Sequence, residues 1–343
     1  MLSSAAGKRL LIAVGLVLVA LLLAGFIFGA IGSAILGTQH LVPQPEIHLP
    51  PQPVLPASSR ELHLGLTDEA QAGEGKSTPE VGGHSESEAS GPGEEEAHST
   101  PLGITEFAVT NTMLSAWSAS VVIILFFVLG AGKKSMVPGR FQSVVESLFE
   151  GIISFSSGVL GPDMARKAFP VVATIFFFVL FNAWLALLPF YQAVGFVSGE
   201  ENLIKVHLLR SAGTDLNMPL ALALVSFFFV EYWGFRSHGF GYLRKFFAFG
   251  SIFSRGIFQG LIDMFVGFLE LISELIRVVS FTFRLFGNMT AGEILVVMIT
   301  FLVPLVVTNF VYGLELLVGL IQSVIFAGLT LVFLSVAVRH EEH

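Results

Sequence analysis

The chain has 343 residues, of which 53% are hydrophobic, 13% are charged and 34 are Phe. A soluble domain carries about 25% charged residues, and one water-soluble core could not hide this much apolar surface. Composition therefore excludes a soluble globular protein. The sequence contains no cysteine, which excludes disulfides, thiolate metal sites, iron–sulfur clusters and a cysteine nucleophile.

The net charge of −8 is concentrated in one acidic segment, residues 37–105. Eleven acidic residues against Arg60 and Lys76 give this segment −9, so the rest of the chain carries +1. The segment is rich in Pro, Gly, Ser, Glu and His and has no periodicity, which predicts a disordered acidic spacer. Five of the nine histidines lie here, at spacings that fit no compact metal site. The remaining sequence has no clustered basic face, so nucleic-acid binding is excluded.

The first hydrophobic segment follows Lys8 and Arg9. Residues 10–36 are uncharged, and as a helix they would be about 40 Å long, more than the roughly 30 Å hydrocarbon core of a bilayer. We interpret residues 1–36 as a transmembrane anchor, with a signal peptide cleaved near Ala34 as the alternative. The spacer follows, and residues 106–343 form the membrane domain.

The membrane domain contains five hydrophobic segments, each long enough to cross a bilayer. They cover residues 107–131, 168–190, 216–235, 254–303 and 309–338. Twelve of the eighteen Lys and Arg residues fall on one side of these segments, and the positive-inside rule makes that side the cytoplasm. Both termini are then cytoplasmic, and the spacer is extracytoplasmic.

The last two hydrophobic segments predict a long helical hairpin. As one helix, residues 254–303 would be about 75 Å long, so they must tilt steeply or break. Pro304 cannot continue a helix and separates them from residues 309–338. The predicted fold class is therefore an all-α integral membrane protein, a bundle of transmembrane helices with a long, steeply tilted C-terminal hairpin.

Ionisable side chains lie within this hairpin, where an Arg costs about 2.5–3.5 kcal/mol to insert and is by default a functional candidate. Arg284 and Asn288 share one polar stripe of the first arm, whereas Glu293 points about 180° away from Arg284. Small residues beside Arg284 would let a neighbouring helix approach closely: Gly287, Ala291 and Gly292. A structural alternative pairs Arg284 with Glu293 or Glu274 as an ion pair within the bundle.

The run from Ser280 to Glu293, SFTFRLFGNMTAGE, resembles the signature of subunit a of F-type ATP synthases, in which Arg-Leu-Phe-Gly-Asn precedes Ala-Gly-Glu. Glu315 and Gln322, seven residues apart in the final helix, and the run 214–217 are also similar to that subunit. The resemblance covers residues from about 105 to 343, so the first 100 have no counterpart in the common bacterial form. Some relatives carry His at the position of Glu315.

The resemblance implies a non-catalytic stator subunit of the Fo sector, which needs no cofactor, metal or nucleotide site of its own. Arg284 would face the c-ring and separate two offset half-channels for protons, with Na⁺ as the alternative ion. Peripheral-stalk b subunits and the lipid of a bacterial inner membrane would be further partners. The proton path would be lined by Glu293, Glu315, Gln322, Asn288, Asp215 and Asn217. Additional candidates for the path are Ser280, Glu231 and Glu270.

Two other classes of protein also place charges within a membrane. A self-contained ion channel or secondary transporter predicts an internal repeat, and no second run echoes residues 280–293. A purely structural scaffold would not tolerate so many ionisable residues in its last two helices. For single residues, a structural interpretation makes Asp215 a helix N-cap and Asn288 a helix-packing amide.

Overall fold

The computed structural model describes most of the hydrophobic segments and a few short stretches between them. The described residues are 5–36, 42, 51–55, 108–131, 139–189, 191, 194–197, 204–239, 241–242 and 257–338. The predicted acidic spacer lies outside them except at residues 42 and 51–55.

Eight helices make up nearly all of the part of the chain that the structure describes. They are α1 Ala5–Phe28, α2 Ala30–Leu36, α3 Asn111–Ala131, α4 Arg140–Leu160, α5 Pro162–Ala186, α6 Asn217–His238, α7 Ile257–Leu302 and α8 Val306–Val338. Two antiparallel ribbons accompany them, β1 Pro53–Leu55 with β2 Val109–Thr110 and β3 Gly195–Val197 with β4 Ile204–His207. Within the described ranges, six helices are long and apolar enough to cross a membrane, α3 to α8. The predicted all-α membrane fold is confirmed.

Helix α4 is not among the five hydrophobic segments predicted from the sequence, and its mean hydropathy of 1.3 is the lowest of the six long apolar helices described. Polar residues recur along one side of this helix at helical spacing: Ser143, Glu146, Ser147, Glu150 and Ser154. On the other side, Val145 fills the space beside Gly130 of α3, and Phe149 contacts Phe169 of α5 with ring centres 5.5 Å apart. The polar side of such an amphipathic helix lowers its mean hydropathy, so the apolar side is hard to recognise from the sequence. Helix α5 also begins earlier than residue 168, with a proline in its first turn, where proline is favoured.

The C-terminal hairpin consists of α7 and α8. Helix α7 is unbroken over 46 residues, about 69 Å at 1.5 Å per residue. The sequence predicted that this segment must tilt steeply or break, and the described helix has no break. Its length therefore requires a steep tilt in a hydrocarbon core of roughly 30 Å. The chain then reverses through Pro304 and Leu305, where Leu305 adopts a left-handed conformation with a φ of 76°.

The core lies where α5, α6, α7 and α8 meet. Its first cluster comprises Ile175, Val179, Ala223, Val278, Phe281, Leu285 and Phe326. Its second cluster comprises Ala168, Val172, Val230, Ala327, Leu331 and Leu334. Ser226 of α6 and Thr330 of α8 share a buried hydrogen bond of 2.7 Å between them. Helices α5 and α6 thus hold the hairpin on one side, while the other side of α7 stays exposed at Ser280, Gly287, Asn288 and Ala291.

The N-terminal residues contact the membrane domain. Helix α1 approaches the turn between α7 and α8, and β1 pairs with β2 just before α3 begins. Residues 51–55 therefore differ from the prediction of a disordered spacer over 37–105. The physical reason is burial, because Gln52 is 4% exposed and Val54 is 1% exposed, and burial offsets the entropy lost on ordering.

Candidate functional site

A cavity of about 440 Å³ lies between α5, α7, α8 and the segment that precedes α6. Four of the predicted path residues line it: Asn288, Glu293, Glu315 and Gln322. Its wall also contains polar residues that sequence reasoning missed: Gln52, Tyr191, His207, Arg210, Ser211 and Tyr312. Acidic, basic and amide groups from distant parts of the chain therefore meet in one concave space.

Arg210 forms an ion pair with Glu293 at this cavity. The Nε atom of Arg210 lies 3.1 Å from Oε1 and 3.4 Å from Oε2 of Glu293, and the two side chains are 10% and 28% exposed. The backbone N–H of Arg210 donates to Oγ of Ser115 at 3.0 Å, which fixes the segment to α3. The sequence held one signal for Arg210, a cation five residues before the predicted path residue Asp215.

Glu315 of α8 lies directly against the backbone of α7. A Cβ atom at Gly292 would collide with Oε2 of Glu315, so the carboxylate occupies the space that Gly292 leaves by having no side chain. Among the three small residues expected to admit a neighbouring helix, Gly292 instead makes room within the hairpin, because it faces α8. Gly287 has open space beside it, and Ala291 is exposed.

Asn288 and Gln322 connect the two arms of the hairpin. Nδ2 of Asn288 donates to Oε1 of Gln322 at 2.8 Å, and Gln322 is 2% exposed. Asn288 also belongs to the exposed side of α7, one helical turn beyond Arg284. It therefore lies between the cavity and the face of α7 that carries Arg284.

Asp215 and Asn217 are not among the residues that line the cavity. Oδ1 of Asp215 accepts the backbone N–H of Asn217 at 3.0 Å, and Oδ2 accepts Oγ1 of Thr112 at 2.9 Å. Both oxygens of this buried carboxylate are thus engaged at the start of α6. The N-cap residue of α6 is Leu216 and no side chain caps the helix, so Asp215 instead joins the turn before α6 to Thr112 of α3. Asn217 is exposed.

Arg284 lies half-buried at the edge of the exposed side of α7. Its Nη2 donates to Oγ of Ser280 at 3.4 Å, and its guanidinium carbon lies 5.7 Å from the ring centre of Phe281. A hydroxyl and an aromatic ring leave its charge largely uncompensated. The exposed side chains around it offer an open surface to another molecule.

The ion pairs proposed as structural alternatives for Arg284 are not formed. Glu293 pairs with Arg210, and Oε1 of Glu274 accepts Nη2 of Arg277 at 2.9 Å. The guanidinium carbon of Arg277 also lies 3.8 Å from the ring centre of Phe333 on α8. No carboxylate of the described residues pairs with Arg284.

The remaining candidates lie away from the cavity. Glu231 accepts a hydrogen bond from Tyr242, and burial, followed by the charge of Glu231, raises the pKa of Tyr242. The phenol therefore stays protonated as the donor. Glu270 is half-buried one turn before Glu274, and Ser280 is the exposed acceptor for Arg284.

These features define a multi-pass membrane protein that holds ionisable groups in a cavity between its helices. On an exposed side it presents a guanidinium that has no carboxylate partner among the described residues. The chain belongs to the family of subunit a of F-type ATP synthases, because the family model described as ATP synthase A chain matches residues 113–335. The resemblance seen at residues 280–293 is thereby confirmed.

Relatives from several bacteria share this similarity, each called ATP synthase subunit a. The protein of Campylobacter curvus is 34% identical over 225 residues, which cover 65% of this chain and 88% of the relative. The protein of Sulfurihydrogenibium sp. is 31% identical over 231 residues, which cover 67% of this chain and 98% of the relative. That of Gloeobacter violaceus is 31% identical over 234 residues, or 68% and 86%.

Proposed function

We propose that this chain is the stator subunit that passes protons to and from a rotating c-ring, and so couples proton flow to ATP synthesis. Membership in the subunit a family supports an Fo membrane subunit. One observation carries the finer proposal: Arg284 has no carboxylate partner among the described residues and borders an exposed side of α7. A charge left uncompensated within a membrane-spanning helix implies a partner outside the chain.

The chemistry of a guanidinium suits this role. It stays protonated up to about pH 12, so it attracts an ionised carboxylate and cannot pass on a proton itself. A ring subunit that arrives with a protonated carboxyl group would have to release its proton before it pairs with Arg284. Arg284 therefore separates two proton paths and relays no proton between them.

The cavity is the outer half-channel in this proposal. The positive-inside rule puts the segment between α5 and α6, which supplies His207 and Arg210 to its wall, on the extracytoplasmic side. Protons would enter there and pass Glu293 and Glu315 toward Gln322 and the c-ring. Carboxylates are suited to this transfer because they exchange protons with water and with each other.

The second half-channel would open to the cytoplasm along the other end of α7. Glu270 and Glu231 lie toward the helix ends that the positive-inside rule assigns to that side, and Ser280 lies near the middle of α7, one turn before Arg284. The subunit itself would be non-catalytic and held by peripheral-stalk b subunits in a bacterial inner membrane. A potential of 100 mV supplies about 2.3 kcal/mol per charge, so several protons must be combined by rotation for each ATP.

Proton conduction by vesicles that contain this chain, with and without its c-ring, tests the proposal. We expect no conduction by the chain alone, because the two half-channels meet only through the ring carboxylate. With the ring present, a potential should drive proton uptake. Conduction by the chain alone, at a rate that the ring does not change, would favour the alternative of a self-contained channel or transporter.

A further inference from the structure

Residues that precede the family match reach the proton cavity. The match begins at residue 113, yet Val42 and Gln52 line the same cavity as Glu293 and Glu315. Gln52 is 4% exposed and thus is an integral part of the wall. The cavity of this chain therefore has a side that the residues matched by the family do not supply.

Asn111, the first residue of α3, fixes this side of the wall in place. Its backbone N–H donates to the carbonyl oxygen of Gln52 at 3.0 Å, and its Oδ1 accepts the backbone N–H of Gln52 at 3.2 Å. Its Nδ2 lies 3.4 Å from the carbonyl oxygen of His207, another residue of the wall. Because Asn111 is fully buried, these bonds hold Gln52 next to His207.

A second attachment joins α1, and the residue that follows it, to the turn between α7 and α8. A Cβ atom at Gly25 would collide with the carbonyl oxygen of Pro304, and one at Gly29 would collide with that of Leu302. Such contact between backbones requires glycine, as at other close helix contacts in membranes. The turn between α7 and α8 contains Leu305 in a left-handed conformation, which costs about 1–2 kcal/mol and needs support from its surroundings.

We propose that Val42 and residues 51–55 complete the outer wall of the proton cavity and shield it from solutes larger than water, while α1 anchors this N-terminal segment at the hairpin turn. Two separate attachments carry this inference. One joins Asn111 to Gln52, and the other joins Gly25 of α1 and Gly29, just after α1, to the hairpin turn. The inference rests on the proposed function only for the meaning of the cavity as a proton path. It also implies that the chain is not cleaved near Ala34, so that the mature protein keeps α1.

Single-cysteine labelling of the assembled complex tests this shielding directly, because the chain contains no cysteine of its own. Thr300→Cys would place a thiol in the cavity wall, and a membrane-impermeant maleimide would be added from the extracytoplasmic side. Combining it with Gly25→Leu and Gly29→Leu, which force α1 away from the turn, should raise the labelling rate several-fold. Gly15→Leu is the control on the same helix, since nothing lies within 4 Å of Gly15, and it should leave the rate unchanged.

A second variant covers the case in which the glycine changes prevent assembly. Asn111→Ala removes the acceptor for the N–H of Gln52 and should also speed labelling of Thr300→Cys. Asn309→Ala is its control, because that exposed side chain bonds only within its own turn, to the carbonyl oxygen of Leu305. Unchanged labelling in a correctly assembled Asn111→Ala complex would overturn the proposal.

Mass spectrometry of the mature chain gives an independent result. An N-terminus before residue 25 is expected, and one beyond Ala34 would overturn the role of α1. Neither measurement depends on proton transport. They can therefore fail while Arg284 and the c-ring act as proposed, and they can succeed if that function is wrong.

Discussion

At the scale of single residues, the carboxylate of Glu315 occupies the space beside Gly292, which has no side chain to fill it. Gly292→Ala would displace the end of a flexible glutamate and little else, so we expect normal assembly of the complex. Proton conduction through the Fo sector should nevertheless fall strongly, because Glu315 leaves its place in the cavity. Gly313→Ala, two residues from Glu315 and with open space beside it, should conduct as the wild type does. Equal conduction by both variants would show that the position of Glu315 is unimportant.

The ion pair between Arg210 and Glu293 permits a prediction about stability. Arg210→Gln leaves Glu293 without its partner in a mostly buried position, which should cost about 1–3 kcal/mol. Adding Glu293→Gln should recover much of that loss, because no unpaired charge remains. A double-mutant cycle on the thermal unfolding of the purified complex measures the coupling. If the effects of the two substitutions on stability are strictly additive, the ion pair contributes no coupling energy.

At the scale of helices, the exposed side of α7 is the surface that would meet the ring. Gly287 lies on it, three residues from Arg284, with nothing within 4 Å inside the described structure. Gly287→Leu should therefore preserve the fold of this chain but reduce the c-ring that co-purifies with it, since close helix approach needs small residues. Gly313→Leu on α8 is the matched control and should retain the ring. Retention by both variants would place the ring elsewhere.

The helices also show what the sequence could and could not predict. Long apolar runs and Pro304 predicted the hairpin, because burial in lipid and a proline breaker act locally. Helix α4 was missed because its polar side lowers the average hydropathy. Gln52, His207 and Arg210 could not be placed at the cavity, since only tertiary contacts bring residues so distant in sequence to Glu293. Asp215 does not line the cavity, because its two oxygens bond to Asn217 and to Thr112 of α3. Its role in the proton path stays a prediction.

At the scale of the whole molecule, two opposite sides of the hairpin have different partners. Its inner side packs on α5 and α6 and contributes to the cavity, where Glu293 is already paired. Its outer side exposes Arg284 without a carboxylate among the residues described. Asn288 lies between the two sides. The proposed transfer of protons from a fixed cavity to a moving ring would use such an arrangement.

ATP-driven proton pumping by the assembled complex with Arg284→Ala tests the central claim most directly. The control is the double variant Glu274→Gln with Arg277→Gln, which removes one charge of each sign from the same helix without touching the exposed side. We predict that Arg284→Ala abolishes pumping and leaves a passive proton leak, while the control still pumps. Coupled pumping by a fully assembled Arg284→Ala complex would contradict the account.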